Sequence, residues 1–354
     1  MSGRTAGGGI LGSMRHRKKF EVDYQEIISL DNLLLAWKYF QRDKKNKKDV
    51  QEFEFHLMDN LLLLYNDLKT KTYTHGPYYA FKINDPKPRD IHKATVRDRI
   101  VHHLIYQSLS PFYFPLFIAD SYSCQDNKGT HKALKRFQAF GNKVSKNHTK
   151  QVWILKCDIR KFFASIDQGI LLRILEKHIS DRDTLWLLRR VIESFHSTRE
   201  GVGLPLGNLT SQLLVNIYMN EFDQFMKHTL KAKYYIRYAD DFVVFSQDKE
   251  ALKSILILMD AYLKLNLRLE LHPDKVFIKT LASGVDFLGW VHFPKHRVLR
   301  TVTKKRMLRR LTETDGKKEV LASCVGLLSH GNGYRLKSKM IQQWDIKNLD
   351  RETL

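Results

Sequence analysis

Asp240 and Asp241 form a short acidic turn between two runs of aromatic and β-branched residues, Tyr234 to Tyr238 and Phe242 to Phe245, and Asp158 ends a third run that begins at Val152. A carboxylate at the end of one strand and a pair in the turn between two others can bring three negative charges to one sheet edge. Like charges that close repel and raise one another's pKa, so such a set implies bound cations. Two Mg²⁺ satisfy it: each takes one or two carboxylates plus substrate phosphates. A pair about 3.5–4 Å apart clamps the attacking and leaving oxygens of in-line phosphoryl transfer. Asp is also ordinary turn chemistry, and spacing alone leaves both readings open.

The elements that must carry these residues follow from periodicity. Leu30, Leu33, Leu34 and Trp37, then Phe55, Met58, Leu61, Leu62 and Tyr65, recur at helical spacing on either side of the basic stretch Arg42 to Lys48, which predicts two helices. Gly76 to Ile83 reads as a strand, and Asp85-Pro86-Lys87-Pro88-Arg89 as a turn into a second, making a basic hairpin. A helix is expected from Val96 to Leu109, ended by Pro111. Beyond the strand that stops on Asp158 come a helical pattern from Gln168 to Phe195, a Gly-rich loop from Gly201 to Gly207 and a helix from Leu209 to Leu230. The acidic hairpin and an amphipathic helix from Lys249 to Leu265 follow. This β-α-β-β-α order predicts an α+β fold with a ferredoxin-like antiparallel sheet and helices on one face. After Trp290 there is room for one small helical subdomain, with a basic helix around Lys304, Lys305, Arg306, Arg309 and Arg310.

Sixty basic against 38 acidic residues give a net charge of +22, and the basic residues recur along the whole chain. Counterion release makes such a surface a good binder of phosphate backbones, which favours nucleic acid over anionic lipid as partner. With 43% hydrophobic and 11% aromatic residues the chain lies outside the disordered class. Cys124, Cys157 and Cys324 are odd in number and far apart, so neither a disulfide framework nor a thiolate zinc site is suggested. No apolar run has the length of a membrane span and no secretion signal is recognisable, so a cytoplasmic protein is expected, with no membrane partner. His102-His103 and His292 with His296 lack an evident third metal ligand.

Tyr238-Ala239-Asp240-Asp241 resembles the Tyr-x-Asp-Asp box of reverse transcriptases. Upstream, Asp158-Ile159-Arg160-Lys161-Phe162-Phe163 resembles the family's first catalytic box, and Gly203-Leu204-Pro205-Leu206-Gly207-Asn208-Leu209-Thr210-Ser211-Gln212 its intervening box. Phe287-Leu288-Gly289-Trp290 resembles its primer grip. The likeness runs from about Arg15 to Trp344 and implies a right-hand polymerase of fingers, palm and helical thumb. Residues 1–19 would be a flexible basic arm, 20–150 the fingers, 151–290 the palm with residual fingers helices at 168–200, and 291–354 a short thumb. It further implies that Asp158, Asp240 and Asp241, with Ile159, hold two Mg²⁺ while the primer 3′ hydroxyl attacks the nucleotide α-phosphate. Phe163 matches the steric gate against a ribose 2′-OH, although core packing beside Phe162 is the ordinary role of such a ring. Arg89, and Lys87 after it, match the residues that contact the triphosphate, where a solvated turn is the alternative. Lys275 matches the general acid for pyrophosphate. Leu206, Gly207, Gln212, Tyr238, Leu288 and Gly289 fall at positions that contact nucleotide or template–primer, and Lys304 to Arg310 would follow the duplex backbone.

Where most of the family has Gln-Gly-x-x-x-Ser-Pro, this chain has Leu206-Gly207-Asn208-Leu209-Thr210-Ser211-Gln212, which resembles the branch found in diversity-generating retroelements. Pro86 to Arg89 and Asp126 to His131 agree with that branch. It implies a bacterial or phage-encoded enzyme that makes error-prone complementary DNA, with errors opposite template adenines. Its partners would be a template RNA, the primer–template duplex, dNTPs and a small helical oligomeric accessory variability protein. Leu206 offers apolar contact where Gln would hydrogen-bond near the nascent pair, so lower fidelity is expected, with loop packing as the alternative. A group II intron maturase would carry a longer thumb, a DNA-binding region and often a nuclease after the primer grip. A retron enzyme fits poorly with Ser211-Gln212, and a silent RNA-binding scaffold or RNA chaperone leaves three ordered carboxylates unexplained.

Overall fold

The computed structural model describes residues 18–84, 88–314 and 317–342. Residues 1–17 of the expected amino-terminal arm, Lys87 of the expected triphosphate contact and Trp344 lie outside the described residues. The chain divides into two compact units. One takes the residues up to Phe112 together with Gln168–Phe195; the other takes Tyr113–Asp167 and the chain from His196 onward.

In the first unit the stretch expected to give two helices gives three, Leu30–Phe40, Lys48–Phe55 and Leu57–Lys69, with a short helix Tyr24–Ile27 ahead of them. The Ser29 hydroxyl starts the first of the three by accepting from the Asn32 N–H. Leu33, Ala36, Trp37 and Phe40 form its buried stripe, answered by Leu61, Leu64 and Leu68. The helix Val96–Tyr113 does not stop before Pro111 but carries it in the last turn, where a proline removes a single backbone hydrogen bond. The helical pattern from Gln168 breaks into Gln168–Glu176 and Arg182–Ile192, because the Asp181 carboxylate caps a new helix through the N–H groups of Asp183 and Thr184. The expected hairpin is present as β1 (Tyr79–Ile83) and β2 (Arg89–Lys93), paired antiparallel.

The second unit is built on β3 (Trp153–Asp158), β4 (Tyr235–Tyr238), β5 (Asp241–Ser246) and β6 (Phe277–Thr280), in spatial order β4-β5-β3-β6 with every neighbouring pair antiparallel. Counted along the chain this is the split β-α-β order 2-3-1-4, and the helix Lys249–Leu267 joins β5 to β6. Strand residues alternate between faces. Phe242 lies toward Phe222 of the helix Leu209–Gln224, with ring centroids 5.3 Å apart. Ile154, Ile236, Val243 and Phe245 face the other way, into a core with Leu134, Phe137 and Phe140 of the helix Thr130–Val144. The sheet is therefore covered on both faces at this end, not on one as its element order suggests. Because that packing holds residues 113–150 in the second unit, the expected boundary at 150 does not coincide with the division of the structure.

A second sheet, β7 (Val285–Phe287), β8 (Trp290–His292) and β9 (Arg297–Leu299), buries Phe287 and Trp290 in the same core. The helices Thr301–Glu313 and Lys318–Leu328 then close over a small core of Met307, Leu321, Cys324, Leu328 and Met340. Among the described residues no helix is long and apolar enough to cross a membrane.

Candidate active site

Asp158 is the last residue of β3, and its cross-strand partner is Asp241, the first residue of β5. Tyr238 faces Asp241 from β4, which leaves Ala239 and Asp240 as the two-residue turn. Ala239 lies in the left-handed region at φ 55°, as tight hairpin turns demand. Two backbone bonds fix the edge. The Ile159 N–H donates to the Asp240 carbonyl at 3.1 Å, and the His272 N–H donates to the Asp158 carbonyl at 2.8 Å. The first ties the buried Ile159 and the two acidic segments together; the second docks the 272–275 loop beside them.

The acidic edge is met by two ammonium groups. Lys156 Nζ, on a side chain only 8% exposed, donates to Asp241 Oδ1 at 3.0 Å, and Lys275 Nζ donates to Asp158 Oδ1 at 2.7 Å. Burial pushes the Asp241 carboxyl up to about 7, opposed by Lys156 and reinforced by Asp240 and Asp158. Among the described residues no three His, Cys, Asp or Glu side chains form a ready metal-binding group; two of the carboxylates are turned to lysines instead. An edge that recruits two ammonium groups is one where positive charge is required. Its donors are all hard oxygens, so the residues present fit Mg²⁺ and not a thiophilic metal.

Behind the turn lies a polar cluster that the sequence reading overlooked. Arg237 of β4 is fully buried. Its Nε and Nη2 bind the Asp223 carboxylate as a fork at 2.8 and 2.7 Å, and Nη2 also reaches Ser121 Oγ at 3.1 Å. Its Nη1 donates at 3.1 Å both to Asn216 Oδ1 and to the carbonyl of Ala239, inside the acidic turn. The Tyr235 hydroxyl completes the set by donating to Asp223 at 2.7 Å. The signal was available: Asn216 and Asp223, two helical turns apart, break an otherwise apolar helix face, and an arginine interrupts a strand of apolar residues.

The Gly-rich loop is stitched to the segment after Asp158. The Gly203 N–H donates to the Ile166 carbonyl and the Leu204 N–H to the Phe163 carbonyl, both at 2.8 Å. Gly203 sits at φ 106°, and a Cβ there would approach Ser197 Oγ to 2.5 Å, so only glycine serves. Phe162 is the core ring at 4% exposure, and Phe163 beside it is half-buried, with the two ring centroids 5.6 Å apart. Leu206 is half-buried and Gly207 exposed, ahead of the helix that carries Gln212, whose carbonyl accepts from Asn216 Nδ2 at 3.1 Å. The Tyr238 hydroxyl accepts from Thr130 Oγ1 at 3.2 Å. Leu288 and Gly289 form the β7–β8 turn with φ 51° and 84°, the paired positive values of a type I′ hairpin, and the Gly289 carbonyl accepts from the Arg300 N–H. The structure thus gathers Asp158, Ile159, Phe163, Asp240, Asp241 and Lys275, with the loop bearing Leu206, in one unit. Arg89 is exposed at the start of β2, in the other unit. Burial first, then His75, pushes His102 down to about 3, and its ring contacts His75 at 3.3 Å; it is a neutral core histidine.

The profile of the family described as reverse transcriptase (RNA-dependent DNA polymerase) matches residues 82–292, more than half of the chain. Protein YkfC of Escherichia coli K12 is 26% identical over 269 residues, covering 64% of this chain and 68% of that protein. The group II intron-encoded protein LtrA of Lactococcus lactis is 23% identical over 311 residues, 68% of this chain and half of LtrA. A putative COX1/OXI3 intron 2 protein of Saccharomyces cerevisiae is 22% identical over 297 residues, which is 64% of this chain and a third of the yeast protein.

Proposed function

The chain belongs to the reverse transcriptase (RNA-dependent DNA polymerase) family, and on that premise we propose that it copies an RNA template into DNA at the Asp158–Asp240–Asp241 edge. The observation that carries this reading is the register that sets Asp158 opposite Asp241 with Asp240 in the adjoining turn. In this reading the second unit supplies palm and thumb, and the β1–β2 ribbon belongs to the fingers. Two Mg²⁺ held by Asp158, Asp240, Asp241 and the Ile159 backbone would supply Lewis-acid activation of the primer hydroxyl and charge neutralisation at the α-phosphate. In this reading Lys275, which donates to Asp158, would give pyrophosphate the proton it takes on leaving. Arg89 and Lys87 bind the triphosphate, and Leu288 and Gly289 hold the primer.

Phe163 excludes the ribose 2′-OH in this reading. Phe163→Ala is therefore expected to lower discrimination against ribonucleotides by about tenfold or more, read as the ratio of kcat/KM for dNTP over rNTP. An unchanged ratio would return Phe163 to core packing.

Within the family we assign the chain to the diversity-generating branch on Leu206 and the Leu209-Thr210-Ser211-Gln212 stretch. An accessory variability protein and a cytoplasmic, bacterial or phage setting belong to that assignment. Sequencing of products from primed RNA tests it: the parent chain is expected to misincorporate opposite template adenines, and Leu206→Gln to reduce those errors several-fold. Faithful copying by the parent favours the second reading, an intron-encoded enzyme, which the likeness to LtrA supports.

A further inference from the structure

Two residues past Asp158 the acidic edge gives way to a cleft of about 300 Å³ that lies wholly in the second unit. Cleft and edge share an antiparallel pair of segments. Ile159 bridges Leu271, the Arg160 N–H donates to the Glu270 carbonyl at 2.9 Å, and the His272 N–H donates to the Asp158 carbonyl at 2.8 Å. Two residues of chain span at most about 7 Å, so the cleft and the carboxylates are neighbours. Four cations line it, Arg160, Lys161, Arg199 and Arg268, against two carboxylates, Asp167 and Glu270. All four cations are exposed, so a ligand in the cleft can reach them. Asp167 is answered by Arg268, whose Nη1 donates to its Oδ2 at 2.6 Å. Glu270 stands 3.6 Å from Arg160 with both side chains more than half exposed, a pair that water screens. The cleft therefore keeps a surplus of positive charge.

The cations are carried on fixed backbone. Lys161 lies in the left-handed region at φ 45°, and Arg268, at φ 50°, ends the helix Lys249–Leu267; residues other than glycine are rarely held so. The Ser165 hydroxyl braces the first of these turns, 3.2 Å from the Arg160 carbonyl and 3.1 Å from that of Lys161. On the loop that bears Arg199, Ser197 Oγ donates to the Ala164 carbonyl at 2.7 Å and the Val202 N–H to the Arg199 carbonyl at 3.3 Å. Polymerisation at the neighbouring edge would release pyrophosphate, a compact anion whose tetrahedral phosphates match arginine forks and an ammonium group. A phosphodiester of a nucleic acid backbone brings one negative charge and a chain on either side; pyrophosphate brings several charges and enters alone. Cations so placed draw the leaving group away from carboxylates that repel it.

We propose that this cleft binds inorganic pyrophosphate, the product released at the acidic edge, through Arg160, Lys161, Arg199 and Arg268. The site rests on the polymerase reading, which supplies the pyrophosphate. The test compares the full chain with Arg199→Gln and Lys161→Gln at fixed free Mg²⁺. Pyrophosphate binding is measured by isothermal titration, and inhibition of DNA synthesis on primed RNA by added pyrophosphate is measured alongside KM for dNTP. The dissociation constant and the inhibition constant are both expected to rise about tenfold in each variant, well beyond any change in KM. Both side chains are exposed, so melting should stay at the parental temperature, and a binding loss there marks recognition and not misfolding. Parental pyrophosphate affinity in both variants would overturn the proposal. So would a KM that rises in step with the inhibition constant, which would give the cleft to the incoming triphosphate instead. A parent chain that binds pyrophosphate here, loses it in both variants and yet makes no DNA on primed RNA would sink the polymerase reading and leave the cleft standing.

Discussion

Asp240→Ala is expected to lower DNA synthesis on primed RNA by about three orders of magnitude or more, with little change in melting temperature. On the proposed two-metal reading the variant loses a ligand to a cation whose contribution to the transition state is several kcal/mol, at about 1.4 kcal/mol per factor of ten. The small stability change follows from geometry: Asp240 is a half-buried turn residue, and the bond that ties it to Ile159 runs through its backbone carbonyl, which alanine keeps. Asp241 is different. Its carboxylate holds the buried Lys156 ammonium, so Asp241→Ala strands a charge and mixes stability with activity. Steady-state incorporation and thermal melting on the same preparations check the contrast; equal activity in the Asp240 variant and the parent contradicts the assignment.

Arg237→Ala is expected to be the most destabilising single change in the second unit. It leaves the Asp223 carboxylate fully buried without its cation, an error worth about 3–5 kcal/mol, and it removes donors from Asn216, Ser121 and the Ala239 carbonyl. The melting temperature should fall by roughly 10 °C. A double change separates stability from positioning. Arg237→Met with Asp223→Leu replaces the ion pair by apolar side chains and should recover most of the lost stability. The bond to the Ala239 carbonyl is still missing, so DNA synthesis should stay well below that of the parent. Full activity in the double variant would show that Arg237 serves the fold and not the acidic turn.

The parts of the site legible in the sequence are those whose signal is local. The runs 152–158 and 234–245 are dense in β-formers and end on carboxylates, and the register of β3, β4 and β5 follows from them. The amphipathic helix expected from Lys249 to Leu265 is present as Lys249–Leu267. What the sequence hid depends on distant pairing. Lys156 and Asp241 are 85 residues apart, Lys275 and Asp158 117, and nothing local shows that each lysine meets a carboxylate. The Arg237 cluster joins a strand, a helix and Ser121, which lies 116 residues from Arg237, so its polar members look like stray interruptions until they meet. Strands of three residues, as in β7 to β9, are too short for alternation to be read. Pro111 misled for the opposite reason, since a strong local signal yields where only the last turn of a helix is affected. The helix Thr130–Val144 was given no place, and its packing on β4 and β5 is what moves residues 113–150 into the second unit.

RNA-templated DNA synthesis at the Asp158–Asp240–Asp241 edge is tested by incorporation of labelled dNTPs by the parent chain on a primed RNA template, with Mg²⁺ and again with the metal chelated. DNA products that depend on Mg²⁺ and on the RNA template, and that disappear in EDTA, are expected. Absence of product across Mg²⁺ concentrations, from a chain that is folded by thermal melting and binds the same primed RNA, would contradict it.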